Sequence, residues 1–213
     1  MKTLAKHATA ACLMVLAHAA VAQDVRISTF KTESTFTLNG QTFTISRNQD
    51  QTATLQGDFA RTSRACPPDC IQPIIIAEGV MTIGEIEVMR YLESTVTDGT
   101  GLLLDTRGPE DFASGAIPGA VNVPAATLHE ENRFRNDILP ALGATSGGDG
   151  TLDFSSAMNL AVYSGGVWSG DAPQAVKNLL AAGYPPEKLF YYRGGMQAWM
   201  HVGLTVQTSP NPG

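Results

Sequence analysis

Long apolar runs and basic residues are scarce in this sequence, and each shortage argues against a class of protein. Beyond the N-terminal segment no stretch approaches the ~20 apolar residues that a membrane-spanning helix needs. Lys and Arg number 14 against 20 Asp and Glu, a formal net charge of −6. This acidic balance argues against binding to nucleic acid or to an anionic membrane surface. With 43% apolar and 16% charged residues, the composition is that of a globular protein.

The N-terminus has the features of an export signal. Lys2 and Lys6 form a basic start, an apolar run covers residues 8–17, and Ala20-Val21-Ala22 has the small-x-small pattern that signal peptidase recognises. The sequence therefore predicts a signal peptide at residues 1–22 with cleavage after Ala22. We expect a periplasmic or secreted mature protein with no membrane span.

Residues 23–62 are predicted to form a small β extension. Residues 35–38 and 41–45 alternate apolar and polar side chains on either side of Asn39-Gly40. Asn-Gly favours the positive φ angles of a two-residue hairpin turn, so the pattern predicts a β-hairpin. Residues 52–55 and Phe59 are expected to add a third strand, and the unit is expected to pack against the domain that follows.

Residues 63–79 form a predicted connector, whose prolines prevent a helix. Cys66 and Cys70 are the cysteines that remain after signal cleavage, and such a close pair in an exported protein usually forms a disulfide. A redox-active pair and a Cu(I) site remain alternatives, because soft thiolates suit copper. Residues 74–76, all isoleucine, are expected to form a short buried strand or an apolar strap. No metal ion or other cofactor is predicted for the chain.

From residue 80 onward, short apolar runs alternate with helical patterns. Strands are expected at 102–104, 120–123, 160–163 and 189–192. Helices are expected after a capping box formed by Thr82 and Glu85, from Pro109, and over 128–142, 172–182 and 195–202, with a flexible loop at 143–150. Strands that alternate with helices predict a parallel sheet with helices on both faces. The predicted fold class is therefore α/β.

Four segments of this region carry recognisable motifs: LLDTR at 103–107, PEDFASGAIPGAVNVP at 109–124, Tyr163-Ser164 at a strand end, and RGGMQAW at 193–199. In this order they resemble the motifs of the rhodanese-like superfamily. The resemblance covers residues 80–205 and leaves residues 206–213 as a tail. It implies a rhodanese-like parallel sheet flanked by helices, with the β-hairpin as an N-terminal extension.

The resemblance also implies a reaction centre, and this sequence departs from it there. In sulfurtransferases of this fold a cysteine at the strand end holds sulfane sulfur as a persulfide, stabilised by loop N–H groups and a helix N-terminus. Ser164 stands in the place of that cysteine, and Ser169 stands where active members carry Arg or a second cysteine. The candidate loop has no Lys or Arg, and its members are Ser164, Gly165, Gly166, Val167, Trp168, Ser169, Gly170 and Asp171. Asp171 adds a negative charge that works against a bound anion.

Three further residues are candidates for the pocket by the same resemblance. Asp105 is expected to satisfy backbone groups at the loop mouth, Arg107 to pair with an acid, and Arg193 to replace the missing loop cation. Hydrolysis by Ser164 would need a neighbouring base. The mature chain offers only His129 and His201, and neither lies in a motif.

Two hypotheses of different classes follow. The favoured one is a pseudoenzyme, an exported rhodanese-like module that binds a small anion or a partner protein through the 164–171 loop. The alternative is a periplasmic sulfurtransferase or thiol-redox enzyme of thiosulfate or sulfane-sulfur metabolism. Such an enzyme would use Cys66 and Cys70, or it would have Ser164 as an altered catalytic cysteine.

Overall fold

A parallel sheet with helices around it organises the computed structural model, which describes residues 24–147 and 151–208. The predicted signal peptide at residues 1–22 and residues 209–213 of the tail lie outside the described residues. The strands are β1 (Glu33–Leu38), β2 (Gln41–Ser46), β3 (Met81–Ile83), β4 (Gly101–Asp105), β5 (Ala120–Asn122), β6 (Thr145–Ser146), β7 (Leu152–Asp153), β8 (Asn159–Tyr163) and β9 (Leu189–Tyr192). The α-helices are α1 (Glu85–Tyr91), α2 (Pro109–Ser114), α3 (Arg135–Ala141), α4 (Asp171–Ala181) and α5 (Gly195–His201).

The main sheet has the strand order β3-β9-β8-β4-β5, and every pair in it is parallel. Its central strands are apolar throughout because the sheet is covered on both faces, and Leu104 and Val162 are fully buried. The α/β fold class and the parallel sheet are thus confirmed. The register places Asp105 beside Tyr163, so the carboxyl ends of β4 and β8 meet at one edge of the sheet.

Each face of the sheet has its own hydrophobic core. Leu104 and Val162 face a core that includes α4, whereas Leu103 and Ala161 face a core that includes Trp199 of α5. The alternation of side chains along a strand produces this division. Both cores are held by the same two central strands, so the loops at the strand ends are fixed from both sides.

The N-terminal hairpin is confirmed and packs into the second core. Asn39 and Gly40 have φ angles of 50° and 77°, as a two-residue turn of this type requires. Phe36 and Ile45 are buried among the residues of α1 and α5. The predicted third strand, from residues 52–55 and Phe59, is wrong. Asp50 accepts hydrogen bonds from the backbone and hydroxyl of Thr52, and this local turn replaces strand pairing.

The predicted capping box of Thr82 and Glu85 is also wrong. Thr82 lies in the edge strand β3, paired with Tyr191 of β9, and its hydroxyl donates to the Ile74 carbonyl. Helix α1 begins two residues later, where the backbone N–H of Gly84 donates to the Glu87 carboxylate at 3.2 Å. A helix start with a capping glutamate is therefore present, but it lies two residues later than predicted.

The predicted helix over 128–142 is shorter than expected. Helix α3 covers Arg135–Ala141, and residues 125–128 form a separate 3-10 turn. Asn132 interrupts the helix, because its side chain bonds the carbonyl of Ala126 and the N–H of Phe134. The expected loop at 143–150 contributes the short strand β6, with residues 148–150 outside the described part. Across residues 24–147 and 151–208, no helix has both the length and the apolarity needed to cross a membrane.

Acidification is expected to loosen the hairpin from the helical segment Leu92–Val96, which follows α1. The Glu93 carboxylate accepts hydrogen bonds from Ser34 at 2.5 Å and from Lys31. Partial burial raises the pKa of Glu93, but these hydrogen bonds and the Lys31 charge outweigh it and lower the pKa below its ordinary 4.5. A lowered folded-state pKa means that the stabilisation is present above pH 4.5 and is lost as the pH falls through the folded-state value.

A Glu93→Gln variant should therefore lose about 1 kcal/mol of unfolding free energy at pH 7 and little at pH 3. Urea unfolding at the two pH values measures the difference. Equal losses at both pH values would show that the carboxylate charge contributes nothing to the contact.

Candidate functional site

The candidate loop lies at the carboxyl end of β8, between the sheet and α4. Ser164 is 3% exposed, and its hydroxyl makes no hydrogen bond with any residue of 24–147 or 151–208. The carbonyl oxygens of Ser164 and Gly165 accept hydrogen bonds from the backbone N–H groups of Met196 and Gln197, at 3.0 and 2.9 Å. Gly195 has a φ of 55°, and a Cβ there would overlap the Ser164 carbonyl. The start of α5 thus holds the loop at close range.

Four backbone donors of the loop are unused. Within the described part of the chain, the N–H groups of Gly165, Gly166, Val167 and Trp168 have no hydrogen-bond acceptor, whereas Ser169 closes the turn onto Gly166 at 3.0 Å. Successive free N–H groups beside a helix N-terminus can bind an anion or a carbonyl oxygen.

The surroundings of the loop are acidic. Partial burial raises the pKa of Asp171, and the carboxylates of Asp111, Asp105 and Asp69 raise it further, against the hydrogen bond from Ser169. Asp69, Asp111 and Asp171 form no ion pair with any residue that the structure describes. Carboxylates without an ion-pair partner therefore act on Asp171 at the end of the loop, and their charge opposes a small anion there.

Asp105 and Arg107 form a buried ion pair beneath the loop. Asp105 is the acid that Arg107 was expected to contact. The guanidinium bonds both carboxylate oxygens, at 2.5 to 3.1 Å, and the carbonyl of Gly115 at 2.7 Å. With side-chain exposures of 0% and 5%, the pair fixes the end of β4 to the end of α2.

The connector crosses the outer side of the loop. The predicted disulfide between Cys66 and Cys70 is confirmed. We call residues 70–76 the strap. The Gln72 N–H donates to the Val167 carbonyl at 2.8 Å, and Arg193 Nε donates to the Gln72 carbonyl at 2.9 Å. Arg193 is thus bound to the strap.

Of the two expectations for residues 74–76, the buried strand is wrong. Ile74 and Ile75 are 65% and 73% exposed, and no strand forms there. Ile76 alone packs against the core. Residues 74–76 lie in the strap, between Gln72, which contacts the candidate loop, and strand β3.

Trp168 forms a second contact on the outer side. Its ring lies under the Arg64 guanidinium at 3.7 Å, and its Nε1 donates to Gln197 at 2.9 Å. A Cβ on Gly165 would come within 2.8 Å of the ring, so the ring covers that glycine. A cleft of about 1550 Å³ lies on this side, lined by Val167 and Trp168 and not by Ser164. Sequence reasoning missed Arg64, because no motif marks a residue outside the domain pattern.

Comparison with known families decides the classification. Residues 88–201 match the Rhodanese-like domain. The chain belongs to this family. No curated protein matches the sequence.

Several solved structures are similar to the chain at low identity. A thiosulfate sulfurtransferase from Pseudomonas aeruginosa is 20% identical over 62% of this chain and 21% of its own, with a TM-score of 0.41. A full-length protein from Lactobacillus plantarum is 20% identical over 60% of this chain and 88% of its own, with a TM-score of 0.43. A Rhodanese_3 like domain from Anabaena is 24% identical over 50% of this chain and 97% of its own, with a TM-score of 0.35.

The rhodanese-like domain of this chain has neither a thiol nor a cation in its loop. The side chains present are the hydroxyls of Ser164 and Ser169, Val167, Trp168 and the carboxylate of Asp171. His129 and His201 are both exposed, and neither bonds Ser164. In residues 24–147 and 151–208, no group of three His, Cys, Asp or Glu side chains is placed to hold a metal ion. A serine without a neighbouring base is a weak nucleophile.

Proposed function

We propose that this rhodanese-like domain is a binding module without ordinary sulfurtransferase activity. Its ligand, a small anion or a segment of a partner protein, contacts the loop of residues 164–171. The observation that carries the proposal is Ser164, because a hydroxyl cannot accept sulfane sulfur as a persulfide. The pKa of an alcohol also lies far above that of a thiol, so no ready nucleophile forms at neutral pH.

The construction of the loop supports binding. The loop has four N–H groups without an acceptor among the described residues, and two of them belong to Val167 and Trp168, which line the cleft. The loop is held by α5 on one side and by Gln72 of the strap on another. Because the donors are fixed before the ligand arrives, little conformational entropy is lost on binding.

The deciding experiment is a thiosulfate:cyanide sulfurtransferase assay of the mature protein. Thiocyanate formation should not exceed that of a protein-free blank. A Cys66→Ser, Cys70→Ser variant is the matched control. Turnover in the unaltered protein that disappears in this variant would refute the proposal and support the thiol-redox alternative.

We also propose that the protein is exported to the periplasm or secreted. The signal pattern of residues 1–22 supports this, and so does the Cys66–Cys70 disulfide, since disulfides persist in oxidising compartments. Fractionation of cells that express the full chain, with N-terminal sequencing of the product, tests it. We expect a product that begins at Gln23, and an uncleaved product in the cytoplasm would contradict export.

A further inference from the structure

The strap carries an unusual exposed apolar surface. Ile71, Ile74 and Ile75 are 81%, 65% and 73% exposed, and Met81 of the neighbouring edge strand is 61% exposed. Single exposed apolar residues are common, but three isoleucines within five positions form a patch of the kind that marks interaction sites.

The patch is held in place beside the candidate loop. Gln72, between the isoleucines, bonds the Val167 carbonyl, the Arg193 side chain and the carbonyl of Cys70. The Cys66–Cys70 disulfide closes the turn that precedes it. The adjacent Ile76 is packed on the core. The exposed isoleucines therefore belong to an anchored segment and not to a free end.

The charges beside the patch indicate what kind of partner fits it. Asp69 precedes Ile71 by two residues and lines the same cleft as Ile71, Val167 and Trp168. The charges of Asp69 and Asp111 also raise the pKa of Asp171. None of these three carboxylates has an ion-pair partner among the described residues. The cations on this side include Arg193, whose Nε donates to the Gln72 carbonyl, and Arg64, which is paired with Asp58. The complementary surface carries Lys or Arg next to aliphatic side chains.

The free N–H groups of the loop further restrict the chemical class of the ligand. Four free N–H groups require acceptors, yet the surrounding carboxylates oppose an anionic one. Peptide carbonyl oxygens are neutral acceptors and satisfy the donors without that repulsion. We infer that the strap isoleucines, the three carboxylates and the loop donors form one docking surface for a polypeptide segment with aliphatic and basic side chains. This inference rests on the proposed binding function and selects a polypeptide rather than a small anion as the ligand.

Selection from a phage-displayed library of random 12-residue peptides tests the inference with the mature protein as the target. Recovered peptides should be enriched in Lys or Arg together with Leu, Ile or Val. For a synthetic peptide of that kind, an Ile71→Ser, Ile75→Ser variant should weaken binding by at least about tenfold, as expected for the loss of two apolar anchors. Asp171→Asn should weaken it by about threefold and reduce its salt dependence. Phe134→Ser, at a 48% exposed position on α3's N-terminal side, is the control and should bind as the unaltered protein does.

Amide NMR shifts of Gly165 to Trp168 separate the possible failures. Shifts caused by sodium sulfate and by no selected peptide would overturn the inference and leave the binding function standing. Absence of shifts with both probes would overturn the binding function itself. Peptide binding unaffected by the isoleucine variant, or enrichment of acidic peptides, would also refute the inference. A concentration-dependent dimer, abolished by the same variant, would identify a second copy of the chain as the occupant and contradict it too.

Discussion

A Ser164→Cys, Ser169→Arg variant should take up one sulfane sulfur from thiosulfate and gain thiosulfate:cyanide turnover. A thiolate at position 164 would attack the outer sulfur of thiosulfate, form an S–S bond and release sulfite. Cyanide would then remove that sulfur as thiocyanate and regenerate the thiolate. The free N–H groups of the loop and the guanidinium introduced at position 169 would stabilise the thiolate and the persulfide.

The gain should be large but incomplete. Loss of a catalytic nucleophile lowers the rate by a factor on the order of 10⁶, so restoring one can raise the rate by a large factor. Asp171 remains beside the loop and its charge opposes both anions. We expect a rate of thiocyanate formation about 10²-fold above the background rate measured with the unaltered protein, well short of full restoration.

Mass spectrometry provides the direct measurement, as a gain of one sulfur atom per chain after thiosulfate treatment. A Ser164→Ala, Ser169→Arg variant is the matched control, since it adds the same charge without a thiol. Both variants are best made with Cys66→Ser and Cys70→Ser, so that the new thiol cannot exchange with the disulfide. A correctly folded thiol variant that takes up no sulfur would contradict the placement of Ser164 at the family's reactive position.

Removing the Asp105 carboxylate should lower the free energy of unfolding more than the Glu93 or Arg61 substitutions do. An Asp105→Ala variant leaves the Arg107 guanidinium buried, at 5% exposure, without its counter-charge. Breaking a buried pair from one side typically costs about 3–5 kcal/mol, because a desolvated charge is left uncompensated. The Arg107 N–H loses its acceptor as well. Guanidinium unfolding should therefore show a marked fall in the midpoint.

Two controls identify the cause of that loss. Arg61→Ala removes an exposed pair with Asp58 and should cost less than about 1 kcal/mol. An Asp105→Leu, Arg107→Met double variant removes both charges and should recover part of the loss. If the double variant is less stable than Asp105→Ala, the hydrogen bonds of Arg107 matter more than the unpaired charge.

The sheet could be predicted because its signals are local. The apolar runs at 102–104, 160–163 and 189–192 mark strands covered on both faces, and the structure places strands there. Asn39-Gly40 predicts its hairpin because the turn depends on two residues alone. The errors lie where a side chain competes for backbone groups, as Asp50 does before the missing third strand and Asn132 does before α3.

The site was predicted only in part. The loop after β8 follows from the motif order, and the Cys66–Cys70 disulfide follows from spacing. Contacts between residues far apart in the chain could not be predicted, because no sequence pattern marks them. The contact of Gln72 with the loop, the contact of Arg64 with Trp168 and the grouping of Asp69 and Asp111 with Asp171 are of this kind.

The sequence by itself determined the fold class and the chemistry missing at position 164. Strand periodicity and the identity of one side chain need no tertiary information, and a serine lacks a thiol in any conformation. Only the tertiary structure decided what surrounds Ser164. In the folded chain the strap crosses the loop, and Ile71 and Ile75 remain exposed. Carboxylates from α2, α4 and the disulfide turn, which have no ion-pair partner in the described part of the chain, come together beside it. Such a surface forms from segments far apart in the chain, and for that reason it becomes visible only once the domain has folded.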